Sequence, residues 1–465
     1  MTAPAFAEPD AVRAPPPDAL LSLPIIPTLT RMALPNMVSM IAVALVAVAE
    51  TAYVGLLGTA SLAAIALVFP MVMLQQMLSA GAMGGGVSSA VSRALGAGDE
   101  MRAQALALHA VVIGLVAALA MAALFLGFGP TIYRTLGGRD AVLGEALVYS
   151  NAVFAGIAGI WLTNMLASVI RGSGNMKIPA FALLGVAAAQ ICLSGALGLG
   201  LGPFPRLGMI GIGFGQVLAF GGGTLFLLAF LRSSHSRVRL DFSPGLLRWE
   251  MFRDILKVGA ISCLSPLQSV LSVLILTSLV SRFGADALAG YGIGMRLEFL
   301  LIPITFAIGV ACLPLVGMAI GSGNVARARQ VAWTGGMASA LILGAVGLAL
   351  AIAPWLWADL FTSDPGVLAS AYSYFSWVGP AYAFFGLGLC LYFSAQGAGR
   401  VLGPVLAGTA RLLIIAIGGW WLSGDAPEWA IFALIAGGMV AYGLLTVISI
   451  AFTRWGQSRA EGPAA

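Results

Sequence analysis

Twelve stretches of the chain are apolar over the roughly 20 residues that a bilayer core requires. They run approximately over residues 35–57, 60–94, 104–128, 144–170, 176–201 and 208–231, then 258–281, 286–320, 329–354, 366–395, 402–423 and 428–452. Between the sixth and the seventh lies Arg232–Lys257, the longest stretch between Met32 and Phe452 that a bilayer core would reject. It carries Arg232, Arg237, Arg239, Arg248, Arg253 and Lys257 and reads as a hinge between two membrane halves. Ser243-Pro244 has the form of a helix N-cap with proline at the first helical position. Leu247, Met251 and Ile255 fall four apart on one face, so the hinge is expected to hold an interfacial helix; the other reading is a plain basic loop.

The halves repeat. Gly96, Gly98, Arg102, Tyr149, Gly172, Gly174 and Pro179 recur at an offset of 225 as Gly321, Gly323, Arg327, Tyr374, Gly397, Gly399 and Pro404. Upstream, Gly58, Leu62 and Ala63 recur at an offset of 226 as Gly284, Leu288 and Ala289, so one residue has been lost inside the second span. Six spans is an even number, so both copies start on the same side and form a parallel repeat related by an axis along the membrane normal. Substrate is then expected between the halves. The organisation predicted is a disordered cytoplasmic tail over 1–30, a six-helix bundle over 31–231, a cytoplasmic linker over 232–257, a second six-helix bundle over 258–453 and a cytoplasmic tail over 454–465.

Composition agrees: 60% of residues are hydrophobic, 9% are charged and the mean hydropathy is +0.99, whereas a soluble domain carries about 25% charged residues. The net charge of +5 is explained by orientation. With the N-terminus inside, seventeen of the 23 lysines and arginines fall in inner loops and tails, four in outer loops (Arg134, Arg139, Arg206 and Arg282) and two within spans. That bias places both termini in the cytoplasm of a cell whose inner membrane holds the protein, and it removes the motive for nucleic-acid binding.

Little else in the sequence suggests chemistry. Cys192, Cys263, Cys312 and Cys390 lie in apolar segments without metal or redox spacing and read as small buried hydrophobes. His109 and His235 are the only histidines and cannot build a metal site between them; there is no GxSxG, HExxH or SxxK, so an enzyme is not expected. The glycine-rich turns Arg93–Gly98 and Ile320–Asn324 lack a following GK[ST] and read as helix C-caps with positive φ rather than phosphate loops. Gly81–Gly86, inside the second span, is either a close packing surface or a bend.

Taken together, the ending of the first span at Glu50-Thr-Ala-Tyr-Val-Gly-Leu-Leu-Gly58, Leu62-Ala-Ala64, the run into Arg93–Gly98 and Arg171-Gly-Ser-Gly-Asn-Met-Lys-Ile-Pro179 resemble the MATE (multidrug and toxic compound extrusion) antiporters over about Arg31–Arg454. The resemblance implies an all-α protein of twelve transmembrane helices, arranged as two six-helix bundles in a V around a central cavity. It further implies an antiporter that exports small organic solutes, often cationic, in exchange for H⁺ or Na⁺, with no other cofactor; a cavity between fused halves suits a monomer.

Ionised groups inside a span cost at least a few kcal/mol, which singles out Glu50, Arg296, Glu298 and Arg411. Glu50 lies about 21 Å along a helix starting near Asn36, in the outer half of a core of about 30 Å. The family carries an aspartate as a cation-coupling residue at this position, so the resemblance assigns proton coupling to Glu50. Arg296 and Glu298 are two apart and point about 200° from each other, so they cannot pair well. Either Glu298 forms a structural pair with Arg411 while Arg296 faces the cavity, or the assignments are exchanged. Spans 258–281 and 366–395 hold no Asp or Glu, where Na⁺-coupled members have carboxylates, which favours H⁺. Tyr53, Asn151, Asn164 and Gln190, in the same half as Glu50, are the candidate cavity residues, together with Arg296 and Glu298. Two mid-depth arginines keep a zwitterionic or anionic substrate open, and with it the related lipid-linked oligosaccharide flippases.

Overall fold

The computed structural model describes residues 17–243, 247–422, 424 and 426–456. Among the described residues the structure is helical, with no strand. The first repeat comprises a short α1 (Pro17–Ser22), α2 (Ile25–Leu57), α3 (Thr59–Gln76), a π-helical turn over Met77–Met83, α4 (Gly84–Gly96), α5 (Glu100–Thr135), α6 (Asp140–Ala155), α7 (Ile157–Gly172), α8 (Lys177–Leu199) and α9 (Met209–Arg232). The second comprises α10 (Trp249–Ser262), α11 (Leu264–Val280), α12 (Ala285–Gly321), α13 (Val325–Ile352), α14 (Trp355–Ala358), α15 (Pro365–Val378), α16 (Tyr382–Gly397), α17 (Leu402–Trp421) and α18 (Glu428–Phe452). Among the described residues eleven helices are long and apolar enough to cross a bilayer, or twelve where α6 and α7, which meet at an angle of 47°, are counted as one bent span. This bend sits at Gly156, where a β-carbon would strike the Val217 side chain.

Boundaries depart from expectation at two places. Helix starts within the segment expected to be a disordered tail: α1 and the first turns of α2 precede residue 31, and Leu20 and Leu29 are buried, so apolar burial orders them. Among the described residues, the helix expected in the hinge is the start of a longer element. The last residues of the hinge, from Trp249, begin α10, which runs on into α11 to give one 35-residue candidate span; Ile255 is fully buried while Leu247 is exposed. The proposed cap at Ser243-Pro244 falls partly outside the described residues, because Pro244 is not among them.

The repeat is written into the backbone. Gly98 and Gly323 have φ of +77° and +81°, and Gly174 and Gly399 have +87° and +72°, the left-handed conformation expected of glycine after a helix. Asp99 and Asn324, the residues following the first pair, each cap the next helix: their side chains accept hydrogen bonds from Arg102 N at 2.9 Å and Arg327 N at 3.0 Å. The four residues occupy equivalent positions in the two copies.

By contacts the chain divides into two compact units. One contains Val38–Met73 and Asp99–Phe252, with the α1 segment; the other contains Leu23–Met37, Leu74–Gly98 and the chain from Arg253 onwards. In the first unit Phe125 stacks on Phe154 at 3.9 Å within a core that includes Tyr133, Ile157 and Leu166. His109, buried on α5, accepts a 3.0 Å hydrogen bond at Nε2 from the backbone N–H of Arg248. In the second unit Tyr374, Phe375, Tyr382 and Phe432 are fully buried together.

In Gly81–Gly86 a π-helical turn gives way to a close packing surface. The backbone is π-helical up to Met83, and the hydroxyl of Ser79 donates to the Gln75 carbonyl at 2.7 Å. Beyond it, Gly86 packs against the backbone of Gly259, where a β-carbon would sit 2.7 Å from the nitrogen. Farther along, a β-carbon on Gly96 would strike the Met318 carbonyl, and one on its repeat counterpart Gly321 would strike that of Arg93. Arg93 also forms an ion pair with Asp254 at 2.6 Å.

Candidate functional site

The site begins with α2, a 33-residue helix whose apolar run is interrupted by a single acid, Glu50. Its side chain is 8% exposed. Gln190 on α8 donates from Nε2 to Oε1 of Glu50 at 2.8 Å, and Ser194, one turn further along α8, donates from Oγ at 3.3 Å. Ser194 is positioned by a close crossing of helices: a β-carbon on Gly215 of α9 would sit 2.5 Å from its backbone nitrogen. Ser194 Oγ lies 3.2 Å from the Ile212 carbonyl as well. The carboxyl is thus held by two neutral donors, an arrangement that can accept or release a proton without breaking an ion pair.

Tyr53 follows Glu50 by one turn and lies against Gly195, whose absent β-carbon would sit 3.1 Å from Cζ of the ring. Tyr149 on α6 is buried and donates to Gln216 Oε1 at 3.1 Å. Of the residues proposed from sequence, Glu50, Tyr53 and Gln190 are therefore brought together on α2 and α8. Asn164 is buried on α7 and Asn151 is exposed on α6, while the side-chain hydrogen bonds to Glu50 come from Gln190 and Ser194. Ser194 and Tyr149 were missed as site residues. A serine gives no signal of its own in a span, but Tyr149 was already marked by its recurrence as Tyr374.

The second unit holds a buried acid of its own. Glu298 on α12 accepts a 2.5 Å hydrogen bond from the hydroxyl of Tyr374 on α15, whose oxygen lies 3.4 Å from the donating hydroxyl of Tyr382. Glycine makes this possible. Gly294, one turn before Glu298, leaves the space that the Tyr374 ring fills, and Gly290 does the same for Ser370, one turn before Tyr374.

The pairing of Glu298 with Arg411 is corrected by this geometry. No ion pair joins them among the described residues. The Arg411 guanidinium lies over the Phe385 ring, 5.2 Å from its centroid, and influences Glu298 only at longer range. The tyrosine ring lodged against Gly294 supplies the direct partner. Arg296 is exposed and stacks over Phe361 at 5.0 Å.

Among the described residues no group of three or more His, Cys, Asp or Glu is placed to hold a metal ion.

Comparison with known proteins is consistent with this organisation. The MatE family model matches twice, over residues 35–194 and again over 262–421. The FAD transporter of Shewanella oneidensis is 24% identical over 86% of this chain and 88% of its own length. The probable multidrug resistance protein NorM of Deinococcus radiodurans is 30% identical over 78% of this chain and 77% of its own. A solved structure described as the outward-facing conformation of a multidrug resistance MATE family transporter of the MOP superfamily superposes with a TM-score of 0.83 at 23% identity, covering 94% of this chain and 98% of that one; at that identity it speaks for the fold. With the family model covering both repeats, the chain belongs to the MatE family of multi-pass membrane transporters and is not an enzyme.

Proposed function

We propose that this protein is a secondary antiporter that exports small organic compounds, often cationic, in exchange for H⁺ by alternating access, with Glu50 as the coupling residue. The observation that carries the reading is the environment of Glu50: a buried carboxyl whose two hydrogen-bond donors, Gln190 and Ser194, are both neutral. Protonation from the outer side favours one packing of α2 on α8 and weakens substrate binding; release of the proton inside resets the cycle. Relatives named as multidrug resistance proteins support organic solutes as cargo. The count of lysines and arginines supports an inner-membrane protein with both termini cytoplasmic. Na⁺ is the less suitable ion, since hard cations want several oxygen ligands and Glu50 is the single carboxylate among its hydrogen-bonded neighbours.

The test is transport by purified protein in proteoliposomes with imposed gradients. A pH gradient alone should drive accumulation of a fluorescent organic cation. Transport that requires Na⁺ and ignores the pH gradient would contradict the reading.

A second reading, an anionic cargo, is favoured by the exposed Arg296 and by the relative named as a FAD transporter. Competition between the cation and flavin dinucleotide in the same vesicles separates the two.

A further inference from the structure

Glu298 does not belong to the Glu50 site. It lies in the other compact unit, on a different span of its repeat, and is surrounded by groups contributed by that unit alone. A carboxyl that served only to balance a neighbouring cation would be expected in ion-pair contact with it, yet its direct partner is a tyrosine hydroxyl. That hydroxyl is joined to a second one, so Tyr382, Tyr374 and Glu298 form a cluster of hydrogen-bonding oxygens, with 3.4 Å from Tyr382 to Tyr374 and 2.5 Å from Tyr374 to Glu298. All three residues are buried, Tyr374 fully.

The tyrosine also occupies a telling position. Tyr374 is the repeat counterpart of Tyr149, which is buried in the first unit and donates to Gln216. The acids are not counterparts, since Glu50 is on the first span of its repeat and Glu298 on the second span of the other. Each unit thus holds one buried carboxyl and one buried tyrosine at the repeated position, but only in the second unit does the tyrosine bond the acid directly.

We propose that Glu298 is a second proton-binding carboxyl of this chain, built within the second unit and reached through the Tyr382–Tyr374 hydroxyls. The reaction is the transfer of one proton to or from a carboxylate oxygen, with the tyrosine hydroxyls donating hydrogen bonds in both states. Other titratable or charged groups that face Glu298 are Tyr291 on its own helix and Arg411 on α17. On α18, Tyr442 senses Arg411, and Glu428 is held by Ser370. The arginines of α13, Arg327 and Arg329, lie in its first turns, at the far end of α12 from Glu298. A single carboxyl bonded by a tyrosine hydroxyl suits a proton and not a hard metal cation, which would need several anionic or carbonyl oxygens.

The experiment is infrared difference spectroscopy of the purified full-length protein in lipid as pH is varied, reading the C=O stretch of protonated carboxyl groups with isotope-labelled glutamate. Two titrating glutamate bands are expected from buried carboxyls, one lost in Glu50→Gln and the other in Glu298→Gln. Tyr374→Phe keeps the second band and shifts its frequency, because the hydrogen bond is gone. If Glu298→Gln removes no band, or removes one that is insensitive to pH, Glu298 is permanently ionised or permanently neutral and the proposal fails. This holds whether or not Glu50 couples transport, since each variant reports its own band. If Glu298→Gln elutes as aggregate, an unchanged band in Tyr374→Phe overturns the proposal by itself.

Discussion

Gln190 donates a 2.8 Å hydrogen bond to the carboxyl of Glu50, joining α2 to α8 between residues 140 positions apart in the chain. A hydrogen bond to a charged group is worth about 1.5–3 kcal/mol, and every 1.4 kcal/mol is about tenfold in an equilibrium. Gln190→Ala is therefore expected to slow gradient-driven efflux about tenfold or more at unchanged expression. Ser194→Ala, which removes the longer of the two bonds, is expected to have the smaller effect. Initial efflux rates from everted vesicles, normalised to protein amount, check both.

The repeat makes a paired prediction. Asp99 and Asn324 cap α5 and α13 through equivalent bonds, and loss of such a cap costs about 0.5–2 kcal/mol. Asp99→Ala and Asn324→Ala should lower the thermal midpoint of the detergent-solubilised protein by similar amounts, and the double variant by their sum, because the two caps share no partner. A large effect at one site and none at the other would show that the copies are not mechanically equivalent.

Glycines at helix crossings sort by what surrounds them. Gly96→Ala and Gly321→Ala each place a methyl against a neighbouring backbone carbonyl, where overpacking costs about 1–3 kcal/mol. Gly55, within α2, has nothing within 4 Å of an added β-carbon, and alanine there removes a helix penalty of about 1 kcal/mol. Thermal midpoints should fall for the first two variants and hold or rise for Gly55→Ala.

In the second unit the coupling should follow contact and not formal charge. A double-mutant cycle between Glu298→Gln and Tyr374→Phe is expected to show a larger interaction energy than one between Glu298→Gln and Arg411→Gln, because the tyrosine bonds the carboxyl at 2.5 Å while the arginine is outside ion-pair range. Equal coupling in the two cycles would restore the arginine as the partner of Glu298.

What the sequence reveals here follows from the range over which each signal acts. Spans, repeat and helix ends are local or periodic, so Gly98 and Gly323 could be assigned positive φ from their neighbours alone, and the two-fold family match falls on the two copies already visible in the spacing. Glu50 stood out because an ionised residue in a span demands a reason. Its partner Gln190 was within reach of the argument as a polar residue of the same half, while Ser194 was not, because a hydroxyl in a helix is ordinarily satisfied by its own backbone. Glu298 failed differently. Charge suggested Arg411, and what decided the contact was shape: the missing side chain of Gly294, which opens a slot for the Tyr374 ring. The helix expected from Leu247, Met251 and Ile255 begins at Trp249, and what the charges of the hinge obscured is that it runs on into α11 as one candidate span.

Glu50 itself gives the most direct test. Efflux of a fluorescent organic cation should be measured in vesicles with an imposed pH gradient, for wild type and for Glu50→Gln at matched protein levels. Proton coupling through Glu50 predicts that the gradient drives transport in wild type and that the variant loses this response while remaining folded. Unchanged gradient-driven transport in Glu50→Gln would contradict it.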